Sequence, residues 1–270
     1  MEIVRDSYFI YNGNILSSDR FDDRSVVGDG AVYEVFRVID GKPLFIEQHT
    51  ERLKNSFVAI GEELWVHDSV ISSDIKRLIH ENGIVRGNIK MVFHTDNRDY
   101  YIYIVPHRYP DDKQYSDGIK VITYDALREN PNIKLVNREL RESVNRKIAE
   151  EHAYEALLVD DNGYITEGSR SNVFFIIKNK VYTPPVESVL PGITRANVIL
   201  LSKELGFNVI EDNIKARDII HVDAIFITGT SPGILPVVMV DDYRFSTQSI
   251  NLMRLMQSYR TFVKQYLNSH

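Results

Sequence analysis

Apolar positions along the chain change their spacing several times, and each change marks an element. Tyr8, Phe9 and Ile10 run into the turn dipeptide Asn12-Gly13, and Ala31 to Ile39 is apolar, β-branched and closed by Asp40-Gly41. Short strands joined by turns are therefore expected at the start. Between Ile46 and Ile60 the apolar residues Ile46, Leu53, Phe57 and Ile60 fall on one helical face, and Gly61 ends the pattern. A second helix starts after Asp68, buries Ile71, Ile75, Leu78 and Ile79, and stops near Gly83. Residues 88–95 and 99–106 alternate as strands around the hairpin signal Asp96-Asn97-Arg98.

The pattern then breaks. Arg108 to Gly118 is polar, turn-rich and poor in large aliphatics, which predicts a small N-terminal α+β domain over 1–110, a linker over 111–118 and a larger C-terminal domain over 119–270. The second part opens with a strand, Ile119 to Tyr124, followed by a helix over Val136 to Glu151 with Leu140, Val144 and Ile148 on one face. Tyr154 to Val159 and Asn172 to Lys178 read as strands flanking the Asn162-Gly163 turn. Leu190 to Gly206 reads as a proline-glycine loop, Thr194 as N-cap and an apolar helix. Ala224 to Thr228 is a buried strand and Thr247 to Leu267 a long amphipathic helix. The alternation is α+β, not a regular βαβ series.

Composition narrows the function classes. With 43% hydrophobic residues in 270, the chain can build a full core. Lys+Arg total 32 against 38 Asp+Glu, a net charge of −6, which argues against a nucleic-acid partner. No apolar run approaches the roughly 18 residues that a membrane helix needs, so no membrane partner is expected. The opening MEIVRDSYFIYNG carries charges from its second residue, unlike a signal peptide, and a cytoplasmic protein is the expectation. Zero cysteine removes thiol nucleophiles, disulfides and cysteine-based metal sites, and no metal site is expected.

The sequence contains no GxxxxGK[ST], GxGxxG after a strand, HExxH or GxSxG motif, which weakens the nucleotide-hydrolysing, dehydrogenase, zincin and hydrolase classes. What remains is a set of local signals. Asn132 to Asn137 (NIKLVN) sets Lys134 among apolar residues before a helix; a surface lysine is the ordinary reading, and a desolvated amine able to attack a carbonyl is the functional one. Glu167, in Thr166-Glu167-Gly168, reads as a solvated loop acid or as the carboxylate that keeps a pyridine nitrogen protonated. Leu190 to Arg195 opens a helix whose first N–H groups suit a phosphate monoester, and Thr228 to Ser231 offers further donors.

Taken in order, these segments resemble the class IV aminotransferases, the fold-type IV pyridoxal-phosphate enzymes. The matching elements are Gly28-Asp29-Gly30 with Val32-Tyr33-Glu34-Val35, Gln48 to Leu53, Ile133-Lys134 with Asn137, Tyr154-Glu155-Ala156, Thr166-Glu167-Gly168, Leu190 to Arg195 and Thr228 to Thr230. The resemblance implies a two-domain α+β fold, with a small N-terminal α+β domain and a larger C-terminal α/β-barrel-like one. It also implies a homodimer with pyridoxal 5'-phosphate as cofactor. It makes Lys134 the cofactor-linked catalytic lysine and Glu167 the partner of the pyridine nitrogen. Arg52, Ile193, Thr194 and Thr230 become phosphate ligands. The reaction implied moves an amino group from an amino acid to a 2-oxo acid in two half-reactions.

Departures from the family pattern bear on the substrate. Arg170, three residues after Glu167, stands where many relatives carry a small residue. It resembles the arginine with which some D-amino-acid transaminases hold the substrate carboxylate, a task suited to a bidentate guanidinium. Arg20 or Arg24 would add a second charge from the partner subunit. Tyr33, Arg138 and Ser231 complete the expected substrate-binding set. A D-amino-acid donor is the first expectation. A branched-chain L-amino-acid transaminase is the alternative, and the Asn137-Arg138 pair is more like that of aminodeoxychorismate lyase. Ala31 is an extra residue ahead of Tyr33, and Pro232 removes an N–H from the Thr228–Gly233 turn.

Overall fold

The computed structural model describes residues 7–22, 26, 31–128, 131–135 and 138–270, with the Arg138 side chain also left out. Gly28-Asp29-Gly30, Arg24, Val136 and Asn137 lie outside the described residues. The chain forms two compact units. One comprises Met1–Arg108, Ile133–Asn137 and Gln265–His270; the other comprises Tyr109–Asn132 and Arg138–Lys264.

In unit one the strands are β1 (Tyr8–Tyr11), β2 (Asn14–Ser17), β3 (Val32–Ile39), β4 (Lys42–Pro43), β5 (Arg86–His94) and β6 (Asp99–Val105). They pair in the order β2-β1-β6-β5-β3-β4. Asn12 and Gly13 both take positive φ (46° and 76°), as a two-residue hairpin turn requires. Helices α1 (Ile46–Ala59) and α2 (Asp68–Asn82) follow the predicted periodicity. The His67 side chain caps α2 at its start, and Gly83 closes it at φ 59°. Even-numbered residues of β3 (Val32, Phe36, Val38) share a core with Leu53 and Phe57 of α1 and Ile71, Ile75 and Leu78 of α2. Tyr33, an odd-numbered residue of β3, packs on the other face with Phe9, Val92 and Tyr103. This period-two alternation sends neighbouring side chains to different tasks.

Unit two holds β7 (Ile119–Asp125), β8 (Glu155–Val159), β9 (Tyr164–Gly168), β10 (Asn172–Ile177), β11 (Lys180–Thr183), β12 (Asn208–Glu211), β13 (Ile214–Lys215), β14 (Ala224–Gly229), β15 (Gly233–Val240) and β16 (Tyr243–Arg244). The sheet path is β12-β11-β10-β14-β15-β7-β8-β9-β13, with β16 on β15. Parallel pairs (β7 with β8 and β15, β11 with β12) mix with antiparallel ones. One core gathers Val121, Leu157, Val173, Phe175, Ile225 and Leu235. A second sets Val144 and Ile148 of α4 (Arg138–Glu150) against Ile122, Ala156 and Leu158.

Three expectations are corrected. The polar stretch read as linker contains α3 (Asp112–Asp117), held by a reciprocal capping box between Asp111 and Gln114. Its polarity reflects exposure, since α3 buries no residue. Thr194 does not cap its helix: α5 runs Ile193–Glu204 with Gly192 as N-cap, and Thr194 sits inside the first turn. The C-terminal helix α6 begins later than expected, at Ile250, and ends at Ser269. No helix among the described residues is long and apolar enough to cross a membrane.

Candidate active site

In unit one, Lys134 is fixed by backbone contacts to the start of β3. Its carbonyl accepts the Tyr33 N–H at 3.1 Å, and Leu135 forms an antiparallel bridge to Val32. The Lys134 side chain is half-buried, and its Nζ lies 5.0 Å from the centre of the buried Tyr33 ring. The extra residue Ala31 thus leaves Tyr33 beside Lys134.

Glu34 points to the helix side of β3 and is fully buried. Arg52 donates from Nε to Oε1 and from Nη2 to Oε2, each at 2.7 Å, and His49 Nδ1 stands 2.8 Å from Oε2. His49 and Arg52 are three apart on α1, so they project together. Burial alone would raise the Glu34 pKa; the Arg52 charge and the hydrogen bonds from His49 and Arg52 outweigh it and hold the carboxyl well below the usual carboxylate range. Burial depresses His49 in turn, with the Arg52 and Lys134 charges adding to it against the pull of Glu34. A neutral imidazole facing a carboxylate must carry its proton on Nδ1, so Nδ1–H donates to Glu34. Arg52 is the expected phosphate ligand, and Glu34 and His49 are companions that spacing does not reveal; the signals for them are a Glu inside an apolar strand and a His-x-x-Arg helix.

In unit two, Glu167 lies on a buried strand and not in a solvated loop. Short β9, ending in Thr166-Glu167-Gly168, carries it, and the residue is 2% exposed. Arg128 Nη1 donates to Glu167 Oε1 at 2.9 Å and the Leu190 N–H to Oε2 at 3.1 Å. Asn172 Nδ2 donates to the Leu190 carbonyl at 2.9 Å, tying the loop before α5 to β10. A Cβ on Gly192 would strike Asn172 Oδ1, so glycine is what lets the loop pass this close.

Gly192 brings no side-chain cap to α5, which leaves the first-turn donors of Ile193 and Thr194 without one. Thr228, opposite Asn172 in the β10–β14 ladder, is 1% exposed, and its Oγ1 has no hydrogen-bond partner among the described residues. Thr230 and Ser231 form the half-buried turn between β14 and β15, and the Pro232 carbonyl accepts from Tyr115 Oη at 2.8 Å. The structure therefore brings Glu167, the α5 N-terminus and the Thr228–Ser231 turn together around Asn172 and Leu190. The arrangement suits a phosphate monoester joined to a pyridine ring: the uncapped start of α5 and the Thr228 hydroxyl for the oxyanion, and a buried carboxylate for the ring nitrogen.

Arg170 is exposed, and its backbone oxygen would lie 3.7 Å from a Cβ on Gly229, so its turn adjoins the Thr230 turn. Beneath it, the buried Glu155 accepts from Ser169 Oγ; burial raises its pKa against the opposing Arg170 charge. Arg138 opens α4, and Arg20 ends a short exposed 3-10 turn.

The family model described as Amino-transferase class IV matches residues 31–240. The D-alanine aminotransferase of Bacillus licheniformis is 30% identical over 251 residues, covering 86% of this chain and 88% of that one. A putative branched-chain-amino-acid aminotransferase of Methanocaldococcus jannaschii is 30% identical over 240 residues, covering 82% of each. The crystal structure of a putative branched-chain amino acid aminotransferase from Thermotoga maritima matches with a TM-score of 0.84 at 27% identity, over 95% of this chain and 96% of that one.

Proposed function

The chain belongs to the class IV aminotransferases, pyridoxal-phosphate enzymes of fold type IV, and within that family we propose that its amino donors are D-amino acids. The acceptor is a 2-oxo acid, and the enzyme works as a homodimer in the cytoplasm. The observation that carries the donor assignment is Arg170, a guanidinium set three residues beyond Glu167 on a turn adjoining the Thr230 turn. A planar, permanently charged fork there fixes both the position and the orientation of an α-carboxylate. Likeness to the D-alanine aminotransferase supports the same reading.

The residues that would hold the cofactor are Lys134, Glu167, the first turn of α5 at Ile193 and Thr194, and the hydroxyls of Thr228 and Thr230. Bound there, pyridoxal phosphate supplies an electron sink for negative charge developing on the donor's Cα. Lys134 Nζ would take the proton from the donor's Cα as base and hold it as the matching acid. Tyr33 walls the amine on one side. Glu167 would keep a proton on the pyridine nitrogen, and Arg128 holds that carboxylate in place. Arg52 is proposed to contribute to phosphate binding, with its guanidinium set in position by Glu34.

A branched-chain L-amino-acid donor is the second reading, favoured by likeness to the Methanocaldococcus jannaschii protein. A spectroscopic half-reaction separates the two. The visible band of the cofactor-loaded protein should bleach with D-alanine, D-glutamate or D-aspartate and persist with L-leucine. Bleaching by L-leucine alone would move the assignment to the branched-chain group. A band that no donor bleaches would point to a lyase related to the aminodeoxychorismate enzymes.

A further inference from the structure

Strands β8 and β9 of unit two fall out of register at Glu167. Leu157 of β8 stands opposite Gly168 of β9 and Val159 opposite Ile165, so Leu158 faces both Thr166 and Glu167. One extra residue on one strand is a β-bulge, which bends the strand and re-aims a side chain. Unbroken period-two alternation would put residue 167 on the face of Ile165, which is the apolar core of Leu157, Val159 and Val173. The bulge interrupts that alternation, and the buried Glu167 meets Arg128 Nη1 and the Leu190 N–H.

Both flanks of the bulge are pinned. Ile165 pairs with Val159 on one side and with Ile214 of β13 on the other. Beyond Gly168, the Ser169 N–H donates to the Ala156 carbonyl at 2.8 Å, and Ser169 Oγ donates to the buried Glu155. Across the bulge itself runs a side-chain bond. Thr166 is buried, and its Oγ1 donates at 3.3 Å to the carbonyl of Leu158, the residue the bulge faces. We propose that Thr166 is a positioning residue, whose hydroxyl holds the bulge in the form that aims Glu167 at the cofactor's ring nitrogen. A carboxylate that loses this support keeps its charge and loses its aim, and a hydrogen bond weakens steeply with misalignment. The proposal rests on the reading of Glu167 as the partner of the pyridine nitrogen.

The test compares the cofactor-free wild type with T166V, T166A, T166S, E167Q and the double variant that joins T166V to E167Q. Each is titrated calorimetrically with pyridoxamine 5'-phosphate, which carries the ring nitrogen and forms no covalent bond with Lys134. Each is also titrated with benzyl phosphate, a phosphate monoester whose ring has no nitrogen. The wild type should prefer pyridoxamine phosphate, and E167Q should cut that preference on the order of 10- to 100-fold, the contribution of one charged hydrogen-bonded pair. T166V and T166A should cut it about tenfold with benzyl phosphate binding unchanged, while T166S keeps it within about twofold. In the E167Q background T166V should change the preference no further, because Thr166 acts through Glu167. Hydroxyl-free variants that keep the preference overturn the proposal. So do variants that weaken both ligands equally as the thermal midpoint falls, for Thr166 would then serve the fold alone. An E167Q that leaves the preference intact overturns the Glu167 reading, and the proposal with it, without any change at Thr166.

Discussion

Two buried polar sites, one in each unit, are treated in opposite ways. In unit one, Glu34, His49 and Arg52 satisfy one another within the chain. In unit two, Thr228 Oγ1 is buried without a partner among the described residues, and α5 starts with no side-chain cap. Unpaired buried donors cost stability in a free protein, so their retention signals a ligand. The contrast separates groups that the fold itself pairs and positions from groups left open to a ligand, a distinction that burial alone does not make.

The largest effect expected is at Lys134. Lys134→Ala should lower the transamination rate by about a thousand-fold or more, since it removes the base and acid of the proposed proton transfer. The visible band of the loaded protein should change with it, while circular dichroism stays that of the wild type. Next comes the internally paired network. Glu34→Gln leaves the buried Arg52 charge uncompensated and should cost roughly 3–5 kcal/mol of stability in urea unfolding at neutral pH.

The pH dependence has a definite sign. The folded-state pKa of Glu34 lies below its ordinary value of 4.5, so its stabilisation is complete above that pH. It is lost as pH falls below 4.5 through the folded value. Wild-type stability should therefore decline with acid more steeply than that of Glu34→Gln, and a parallel decline in both would remove Glu34 as the cause.

Gly192→Ala should cost about 1–3 kcal/mol, because the added methyl must push Asn172 away. Its signature is a shared loss of stability and cofactor affinity, as expected where a structural contact also shapes the anion site. A variant that loses stability alone would detach the loop from cofactor binding.

Much of unit one was legible in the sequence because its signals are local. The Asn12-Gly13 turn and the apolar stripes of α1 and α2 depend on residues a few positions apart. Helix α3 escaped because it has no apolar stripe to read. Strand β9 escaped because its five residues end in Thr-Glu-Gly, which reads as a turn until β8 pairs beside it. The same blindness hid the active-site supports. Glu34 stands 15 and 18 residues from His49 and Arg52, and Arg128 stands 39 from Glu167. Spacing of that kind carries no periodic signal, and only the folded chain brings the charges together. Lys134, Glu167 and the α5 N-terminus were recognisable as a set because their order along the chain is that of a family, and no one of them was decisive alone.

The smallest structural change gives the sharpest test. Thr228→Val keeps the shape of the side chain and deletes the unpartnered hydroxyl. The measurement pairs the unfolding free energy of the cofactor-free protein with the pyridoxal-phosphate dissociation constant. If the unpaired groups of unit two exist for the cofactor, stability should change by no more than about 0.5 kcal/mol. Affinity should weaken on the order of tenfold. A loss of stability with affinity unchanged would contradict the account, for it would make Thr228 part of the fold and remove it from the proposed phosphate donors.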